Sequence, residues 1–213
     1  MPLRLYHSLL SSASFRVRIA LNLKDLEYDQ VVLDLRKNEH QTEEFARINP
    51  LRAVPVLVDG GTTLIESMAI IEYLDETRPA PPLLPRAAPE RARVRALAQL
   101  IACDIHPLNN LRVLRYLKHE MNAGDPARDK WYQHWILEGF AALEKLLGQR
   151  PAGTFCHGDT PTLADVCLVP QVVNAQRYNV VLTPFPVLRG IFEECMKLPA
   201  FVRAHPDNRP SGG

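Results

Sequence analysis

The sequence has little charge imbalance and lacks any long apolar run. Its 213 residues include 25 Lys and Arg against 24 Asp and Glu, which gives a formal net charge of +1 at pH 7. A field this weak excludes the strong attraction on which non-specific binding to nucleic acid depends. No stretch approaches the roughly 18 apolar residues of a membrane span. We therefore expect neither a nucleic-acid partner nor a membrane partner.

Cysteine is also scarce, and its spacing is uninformative for disulfides or metals. The four cysteines are Cys103, Cys156, Cys167 and Cys195, and none forms a C-x-x-C pair. A disulfide framework or a structural zinc site needs clustered ligands, so we expect neither. Cys103 and Cys167 lie in apolar, helix-like stretches, where buried reduced thiols are expected. The composition is typical of a cytoplasmic protein without a bound metal.

The first third of the chain alternates between strand and helix patterns. Strands are predicted at four places: 3–6, 28–35, 54–58 and 62–65. Asp59-Gly60 between the last two predicts a hairpin turn. Helical periodicity begins at Val17 and again after Ser67. This order of elements predicts a small α/β layer domain.

A proline-rich segment ends this pattern, because four prolines within residues 78–85 are incompatible with a helix. Beyond it, the 3.6-residue period recurs in four segments: 91–118, 129–147, 162–174 and 187–196. Thr162 and Asp165 have the spacing of a capping box, with Asp in place of the usual Glu. The sequence therefore predicts an α/β domain at 1–78, a linker at 79–88 and an all-α domain at 89–213.

Three serines, Ser11, Ser12 and Ser14, lie where the first predicted strand passes into the first predicted helix. The first turn of a helix carries unpaired N–H groups and a partial positive charge, so it stabilises an anion such as a thiolate. A serine hydroxyl can donate to the same anion, or it can simply cap the helix. From this stretch alone, both interpretations stay open.

Two dipeptides in the α/β domain are candidates for ligand binding. Val54-Pro55 enters a predicted strand, where the proline can leave the Val54 backbone available to a peptide ligand or be an ordinary strand-entry proline. Glu66-Ser67 opens a predicted helix. Its N-terminus and the Ser67 hydroxyl can bind a carboxylate, while Glu66 can meet an ammonium group. A plain N-cap role for Ser67 is equally compatible with the sequence.

The helical half contains an unusually polar stretch within an apolar helix pattern. His106, Asn110 and Arg112 lie within two turns of one another, and Pro107 predicts a kink between them. This combination favours a site over an isolated structural histidine. Arg177 follows another apolar stretch, where a surface salt bridge is the simpler interpretation.

Across essentially its whole length, the sequence resembles the zeta class of glutathione transferases, whose best-known activity is maleylacetoacetate isomerase. Eight motifs carry the resemblance: 11–21, Asn49-Pro50 with Val54-Pro55, 66–74, Arg78-Pro79, 104–112 with its His-Pro-Leu-Asn-Asn core, 159–165, 168–172 and 182–186. The resemblance implies the glutathione transferase fold, which joins an α/β thioredoxin-like N-terminal domain to an all-α helical C-terminal domain. It also implies glutathione as cofactor, a small diacid as substrate and a homodimer.

The same resemblance implies roles for individual residues. Ser11, Ser12 and Ser14 would be catalytic and lie beside the glutathione thiolate. Glutathione would be bound by a larger set: Ala13, Phe15, Arg16, His40, Val54, Pro55, Glu66, Ser67, His106 and Asn110. Arg112 and Arg177 would hold the substrate carboxylates.

The activity implied is glutathione-dependent cis–trans isomerisation of maleylacetoacetate or maleylpyruvate, by reversible addition of the thiolate to the cis double bond. Two alternatives stay open: conjugation of glutathione to small electrophiles such as α-halo acids, and a non-enzymatic binding role.

Three positions depart from the family pattern. Ala13 replaces a frequent Cys, which disfavours chemistry that needs a protein thiol. Glu66 replaces a frequent Gln. Leu10 replaces an Arg that commonly precedes the two serines, so one substrate-facing cation is absent.

Overall fold

The computed structural model describes residues 2–149 and 153–208. These residues form two compact units. One comprises residues 2–83 and 197–208, and the other comprises 84–149 and 153–196. Positions 1, 150–152 and 209–213 of the predicted domains lie outside the described residues.

The first unit is built on a four-stranded sheet in the order β2-β1-β3-β4. Its strands are β1 Leu3–His7, β2 Tyr28–Val32, β3 Val56–Asp59 and β4 Thr62–Ile65. β1 is parallel to β2 and antiparallel to β3, and β3 is antiparallel to β4. The buried side chains of Leu5, Val56 and Leu57 place the core on the central strands. The predicted α/β layer is therefore confirmed.

β2 is shorter than the pattern at 28–35 predicts, because it ends at Val32. The N–H of Leu33 still donates to the carbonyl of His7 at 2.7 Å. Oδ1 of Asp34 then accepts from the N–H of Arg36 at 2.8 Å, which turns the chain locally. A side chain that bonds its own backbone competes with the ladder and ends the strand.

The described part of the chain contains nine α-helices: α1 Ser12–Leu23, α2 Glu43–Ile48, α3 Ser67–Thr77, α4 Ala88–Gln99, α5 Leu111–His119, α6 Asp125–Gly148, α7 Leu163–Arg177, α8 Pro186–Cys195 and α9 Pro199–Ala204. The second unit is helical throughout its regular elements, as expected. In the residues that the structure describes, no helix is long and apolar enough to cross a membrane.

α9 packs with the first unit, although the sequence pattern places residues 89–213 in one helical domain. Nε of Arg18 donates to the carbonyl of Ala204 at 3.1 Å, and Nδ2 of Asn22 donates to that of Ala200 at 3.0 Å. Periodicity identifies a helix, but it does not identify the surface against which the helix packs. This explains why the compact units divide the chain differently from the predicted boundaries.

Two features of the second unit concern the sequence predictions. The Thr162–Asp165 capping box is confirmed at the start of α7. Near Pro107, α4 continues as a π-helical segment, Leu100–Ile105, and a 3₁₀ turn, His106–Asn109. In this segment Ile101 and Ile105 are buried, whereas Cys103 is exposed. The expected burial of Cys103 was therefore wrong. The wider π turn changes which residues face inward.

Candidate active site

The turn between β1 and α1 gives its three serines different environments. Ser11 is the N-cap of α1, and its Oγ accepts from the N–H of Ser14 at 3.2 Å. Oγ of Ser14 accepts from the N–H of Ser8 at 3.4 Å, and Ser14 is fully buried. Ser12 is the first residue of α1. The capping interpretation therefore applies to Ser11. Ser12 and Ser14 are both buried, and the hydrogen bond that Ser14 accepts from Ser8 favours a structural role for Ser14.

The N-terminus of α1 is suited to an anion. Its first turn contains no acidic residue that would neutralise the partial positive charge of the helix. Ala13 adds no polar group, and Phe15 and Arg16 are buried on the inner side of the helix. A thiolate placed at this turn would meet backbone N–H groups and a serine hydroxyl.

Arg16 joins this turn to the start of α3. Its Nη1 donates to Oγ of Ser67 at 3.3 Å, and both side chains are buried. Ser67 is the first residue of α3. Glu66, which precedes it, has a φ of 67°, a conformation unfavourable for a residue with a Cβ. The fold thus holds Glu66 and Ser67 at a helix N-terminus in a specific local geometry.

The approach to β3 contains a cis peptide bond just before the strand ladder. The Val54–Pro55 peptide bond is cis, and Val54 precedes the β1–β3 ladder, which pairs residues 56 to 58. Buried Asn49 fixes the preceding loop. Its Nδ2 donates to the carbonyl of Ala53 at 2.7 Å, and its Oδ1 accepts from the N–H of Leu51 at 3.0 Å. Sequence reasoning assigned no role to Asn49, although Asn49-Pro50 was among the motifs of the resemblance.

His40 lies in a 3₁₀ turn, Glu39–Gln41, just before α2, and it is buried. The guanidinium of Arg52 donates to the carbonyl of Gln41, and its Nη2 lies 2.5 Å from Oε1 of Glu43. These contacts tie the turn to the loop that leads into β3.

In the second unit, the polar stretch is divided between structural and exposed groups. Asn110 is the N-cap of α5, and its Oδ1 accepts from the N–H of Arg112 at 3.1 Å. Arg112 itself is exposed. Nε1 of Trp131 donates to the carbonyl of Leu108 at 2.8 Å, which anchors the segment that carries His106 to α6. Arg112 can therefore meet an anion from solvent.

Arg177 is the exposed last residue of α7. The next residue, Tyr178, stacks on Tyr132 with ring centroids 3.5 Å apart and an interplanar angle of 7°. Burial raises the pKa of Tyr132, and the charge of Arg177 opposes that rise. The guanidinium of Arg177 therefore lies near the stacked pair of buried Tyr132 and half-buried Tyr178 at the end of α7.

Behind the serine turn lies a buried pair that sequence reasoning missed. Nη1 of Arg18 lies 3.2 Å from Nδ1 of His7 and donates to the carbonyl of Ser8 at 3.2 Å, and Nη2 donates to that of Leu9 at 3.1 Å. Burial, followed by the charge of Arg18, lowers the pKa of His7 to about 4. Two arginines within an otherwise apolar helix were the available signal.

Comparison with known families gives two matches that together cover most of the chain. Residues 1–76 match the glutathione S-transferase N-terminal domain, and residues 125–194 match the glutathione S-transferase C-terminal domain.

Among curated proteins, the chain is 48% identical to a probable maleylacetoacetate isomerase of Vibrio cholerae, over 99% of this chain and 98% of that protein. It is 47% identical to a maleylpyruvate isomerase of a Ralstonia species, over 98% of this chain and 99% of the other.

Solved structures give the same grouping. The holo structure of a maleyl pyruvate isomerase, described as a bacterial zeta-class glutathione S-transferase, superposes with a TM-score of 0.96 at 47% identity and covers 99% of this chain and 100% of its own. A maleylacetoacetate isomerase from Methylobacterium extorquens AM1, with bound malonate and GSH, superposes with a TM-score of 0.94 at 39% identity, covering 99% of each chain.

Proposed function

Because the chain belongs to the zeta class of the glutathione S-transferase family, we propose that it is a glutathione-dependent cis–trans isomerase of maleylacetoacetate or maleylpyruvate. The observation that carries the proposal is the N-terminus of α1, which presents Ser12 and no acidic residue in its first turn. Similarity to isomerases spans nearly the full length of the chain.

The residues of the first unit fit glutathione. Oγ of Ser67 accepts from Arg16, so its own hydrogen is available for the γ-glutamyl carboxylate at the N-terminus of α3. We assign Glu66 to the ammonium group of glutathione. Val54 lies outside the strand ladder, where its backbone can pair with the tripeptide, and buried His40 is assigned to the glycyl end. We propose that residues 1–78 form the glutathione-binding domain.

Glutathione, when bound, supplies a thiolate whose reversible addition to the cis double bond permits rotation to the trans isomer. The protein's part is to keep that thiol ionised. Ser12 donates to the sulfur, and the helix N-terminus lowers the pKa of a thiol held there. Ser11 is assigned to the same turn as its N-cap. Ala13 provides no thiol, so the only sulfur at this turn is that of glutathione.

We assign Arg112 and Arg177 to the carboxylates of the diacid, because both guanidinium groups are exposed and Arg binds carboxylates bidentately. We propose that the helical region predicted at 89–213 binds the substrate through its part in the second unit, since α9 packs with the first unit. His106 and Asn110 belong to the same polar segment as Arg112, and we assign them to the binding of glutathione.

A second candidate, conjugation of glutathione to small electrophiles such as α-halo acids, is favoured by Leu10. This side chain is 49% exposed and adds no positive charge two residues before Ser12. With fewer cations in the site, the electrostatic contribution to binding falls more for a dianion than for a monoanionic halo acid.

Ultraviolet spectroscopy separates the two functions. Maleylpyruvate is mixed with the enzyme and glutathione at a small fraction of the substrate concentration. Full conversion to the trans isomer with glutathione conserved supports the isomerase. Consumption of one glutathione per turnover, with no trans product, supports conjugation and overturns the isomerase. Ser12→Ala, which we expect to turn over more slowly, is the control that shows that the conversion depends on the protein.

We also propose a cytoplasmic location and a homodimer. The four cysteines are free thiols, as a reducing compartment maintains. The homodimer rests on family membership, and light scattering across a dilution series measures it directly.

A further inference from the structure

The turn that leads from β1 into α1 is built around Ser8. The carbonyl of Ser8 accepts from the N–H of Ser11 at 3.2 Å, which closes a β-turn. The N–H of Ser8 donates to Oγ of Ser14 at 3.4 Å, so both backbone polar groups of this buried residue are bonded to the start of α1. The geometry of the turn therefore decides where Ser11 and Ser12 lie.

Arg18 binds the same turn with two of its donors. Its Nη1 donates to the carbonyl of Ser8 at 3.2 Å, and its Nη2 donates to the carbonyl of Leu9 at 3.1 Å. Arg18 lies in the second turn of α1, and only 4% of the residue is exposed. Because a planar guanidinium presents its donors in a fixed fork, it holds two adjacent carbonyls in one relative orientation.

Other contacts hold the guanidinium itself. Its Nε donates to the carbonyl of Ala204, at the end of α9, at 3.1 Å. Nη1 also lies 3.2 Å from Nδ1 of fully buried His7, and this ring nitrogen accepts because a guanidinium can only donate. The central carbon lies 5.3 Å from the centroid of the Phe15 ring, in the first turn of α1. Arg18 therefore cannot reorient without breaking contacts to several elements.

These contacts suit Arg18 to orienting the backbone, because the N–H groups bonded to Ser8, Leu9 and Ala204 are already engaged within the protein. Without the guanidinium, the fork no longer fixes the two carbonyls of the turn, and the start of α1 can shift with them. A misplacement of about 1 Å at a reacting group can cost on the order of 100-fold in rate.

We propose that Arg18 is a positioning residue, which fixes the turn before α1 so that Ser12 and the first N–H groups of the helix meet the sulfur of glutathione. This inference rests on the proposed function, since it concerns the thiolate site at Ser12. Arg18 acts through that turn and is assigned no contact with glutathione or substrate.

Titration of the enzyme-bound glutathione thiol by its ultraviolet absorbance tests the proposal on the full chain. Arg18→Gln should lower the ionisation constant of this thiol by about three- to tenfold, the value of one hydrogen bond to the thiolate. We expect kcat to fall by at least about tenfold. The dissociation constant of glutathione should change by less than about threefold, because the contact between Arg16 and Ser67 is retained. A merely structural role would not change thiol ionisation separately from affinity.

Asn22→Ala is the matched control. Asn22 lies one turn further along α1, and its Nδ2 donates to the carbonyl of Ala200 in α9 at 3.0 Å. Its replacement removes a hydrogen bond between α1 and α9, as Arg18→Gln does, but it leaves the turn before α1 intact. The thiol ionisation constant and kcat should therefore keep their wild-type values.

Arg18→Lys decides the proposal if circular dichroism shows that Arg18→Gln does not fold. It keeps a buried cation but replaces the fork by a single ammonium, so kcat should still be at least about threefold below the wild type. The folded Arg18 variant is then combined with Ser12→Ala. Because Arg18 acts through the turn that carries Ser12, the loss in the double variant should be smaller than the product of the two single losses.

Three results would overturn the proposal: wild-type thiol ionisation and kcat in the folded Arg18 variant, equal losses in that variant and in Asn22→Ala, or single losses that multiply fully in the double variant. Failure of the proposed function gives a different result. A wild-type protein that binds glutathione and ionises its thiol without isomerising maleylpyruvate would refute the isomerase, and the thiol titration would still decide the role of Arg18.

Discussion

Nη1 of Arg16, in the first helix, lies 3.3 Å from Oγ of Ser67, the first residue of the third. The two residues are 51 positions apart in the chain, and both side chains are buried. Since the Ser67 oxygen accepts from a guanidinium, its hydroxyl hydrogen is directed to another acceptor. The contact therefore leaves the Ser67 hydroxyl hydrogen for the carboxylate that we propose it binds.

This relationship predicts that Ser67→Ala raises the dissociation constant of glutathione by about 10- to 100-fold, the value of a hydrogen bond to a charged group. Isothermal titration calorimetry measures it. Ser67→Thr, which keeps the hydroxyl, is the control and should retain most of the affinity. Equal affinity of Ser67→Ala and the wild type would show that the carboxylate is bound elsewhere.

Ser12→Ala should act on turnover instead of affinity. We expect kcat to fall by about 10- to 100-fold, because one donor to the developing thiolate is lost, while the glutathione dissociation constant changes by less than about threefold. Titration of the bound thiol by its ultraviolet absorbance should show a higher pKa in the variant.

Ser11→Ala is the matched control for the Ser12 experiment. Because Ser11 is the N-cap of α1, its replacement should lower the free energy of unfolding by about 1 kcal/mol. If Ser12→Ala kept full turnover, or if both variants lost only stability, the thiolate assignment would fail.

The accuracy of the sequence predictions depended on how far apart in the chain the interacting residues lie. The capping box at Thr162 and the hairpin at Gly60 follow from residues a few positions apart, so their patterns were sufficient. The π-helical segment that exposes Cys103 depends on how its helix meets its neighbours, which periodicity does not encode.

The same limit applies to the site. The three serines were identified together, but only the structure shows that Ser11 caps α1 and that Ser14 accepts from the N–H of Ser8, while Ser12 and Ser14 are both buried. The association of α9 with Arg18 and Asn22 joins residues about 180 positions apart, and no local signal marks it.

The buried histidine behind the serine turn predicts a pH dependence of stability. Burial and the charge of Arg18 lower the pKa of His7 from 6.5 to about 4 in the folded chain. The unfolded chain therefore binds the proton more readily, so this contribution to stability is complete above pH 6.5 and is lost as the pH falls towards 4.

The loss at low pH should be on the order of 3 kcal/mol, given about 1.4 kcal/mol for each pH unit between the two pKa values. Urea denaturation at a series of pH values measures it. In His7→Gln, whose amide oxygen can still accept from Arg18, the profile should be flatter over this range by the same amount. Parallel profiles for the two proteins would contradict the assignment.

A buried ion pair connects α1 to the segment that leaves the first unit. Nζ of Lys24, whose side chain is fully buried, lies 2.8 Å from Oδ1 of Asp75 and also donates to the carbonyls of Arg78 and Pro81. Lys24→Met leaves the Asp75 carboxylate buried without its cation, so we expect a loss of about 3–5 kcal/mol in the free energy of unfolding.

The double variant Lys24→Met with Asp75→Asn tests the cause. It removes the uncompensated charge but keeps an acceptor for the N–H of Leu83, which now donates to Asp75 at 2.8 Å. It should therefore be more stable than Lys24→Met alone in urea denaturation. A double variant that is less stable than the single one would show that the loss comes from packing of the lysine stem.

Leu10 provides the sharpest test of substrate binding, because it stands two residues before Ser12 and is half exposed. Leu10→Arg introduces a cation there, and we expect the KM for maleylpyruvate to fall by about two- to fivefold, as an exposed guanidinium adds about 0.5–1 kcal/mol to the binding of a dianion. The gain should shrink as salt is added, since screening weakens an exposed charge.

Leu10→Gln, polar but neutral, is the matched control and should leave KM unchanged. The affinity for glutathione should be the same in all three proteins. An equal effect of Arg and Gln would show that polarity or shape at position 10, and not charge, governs the substrate.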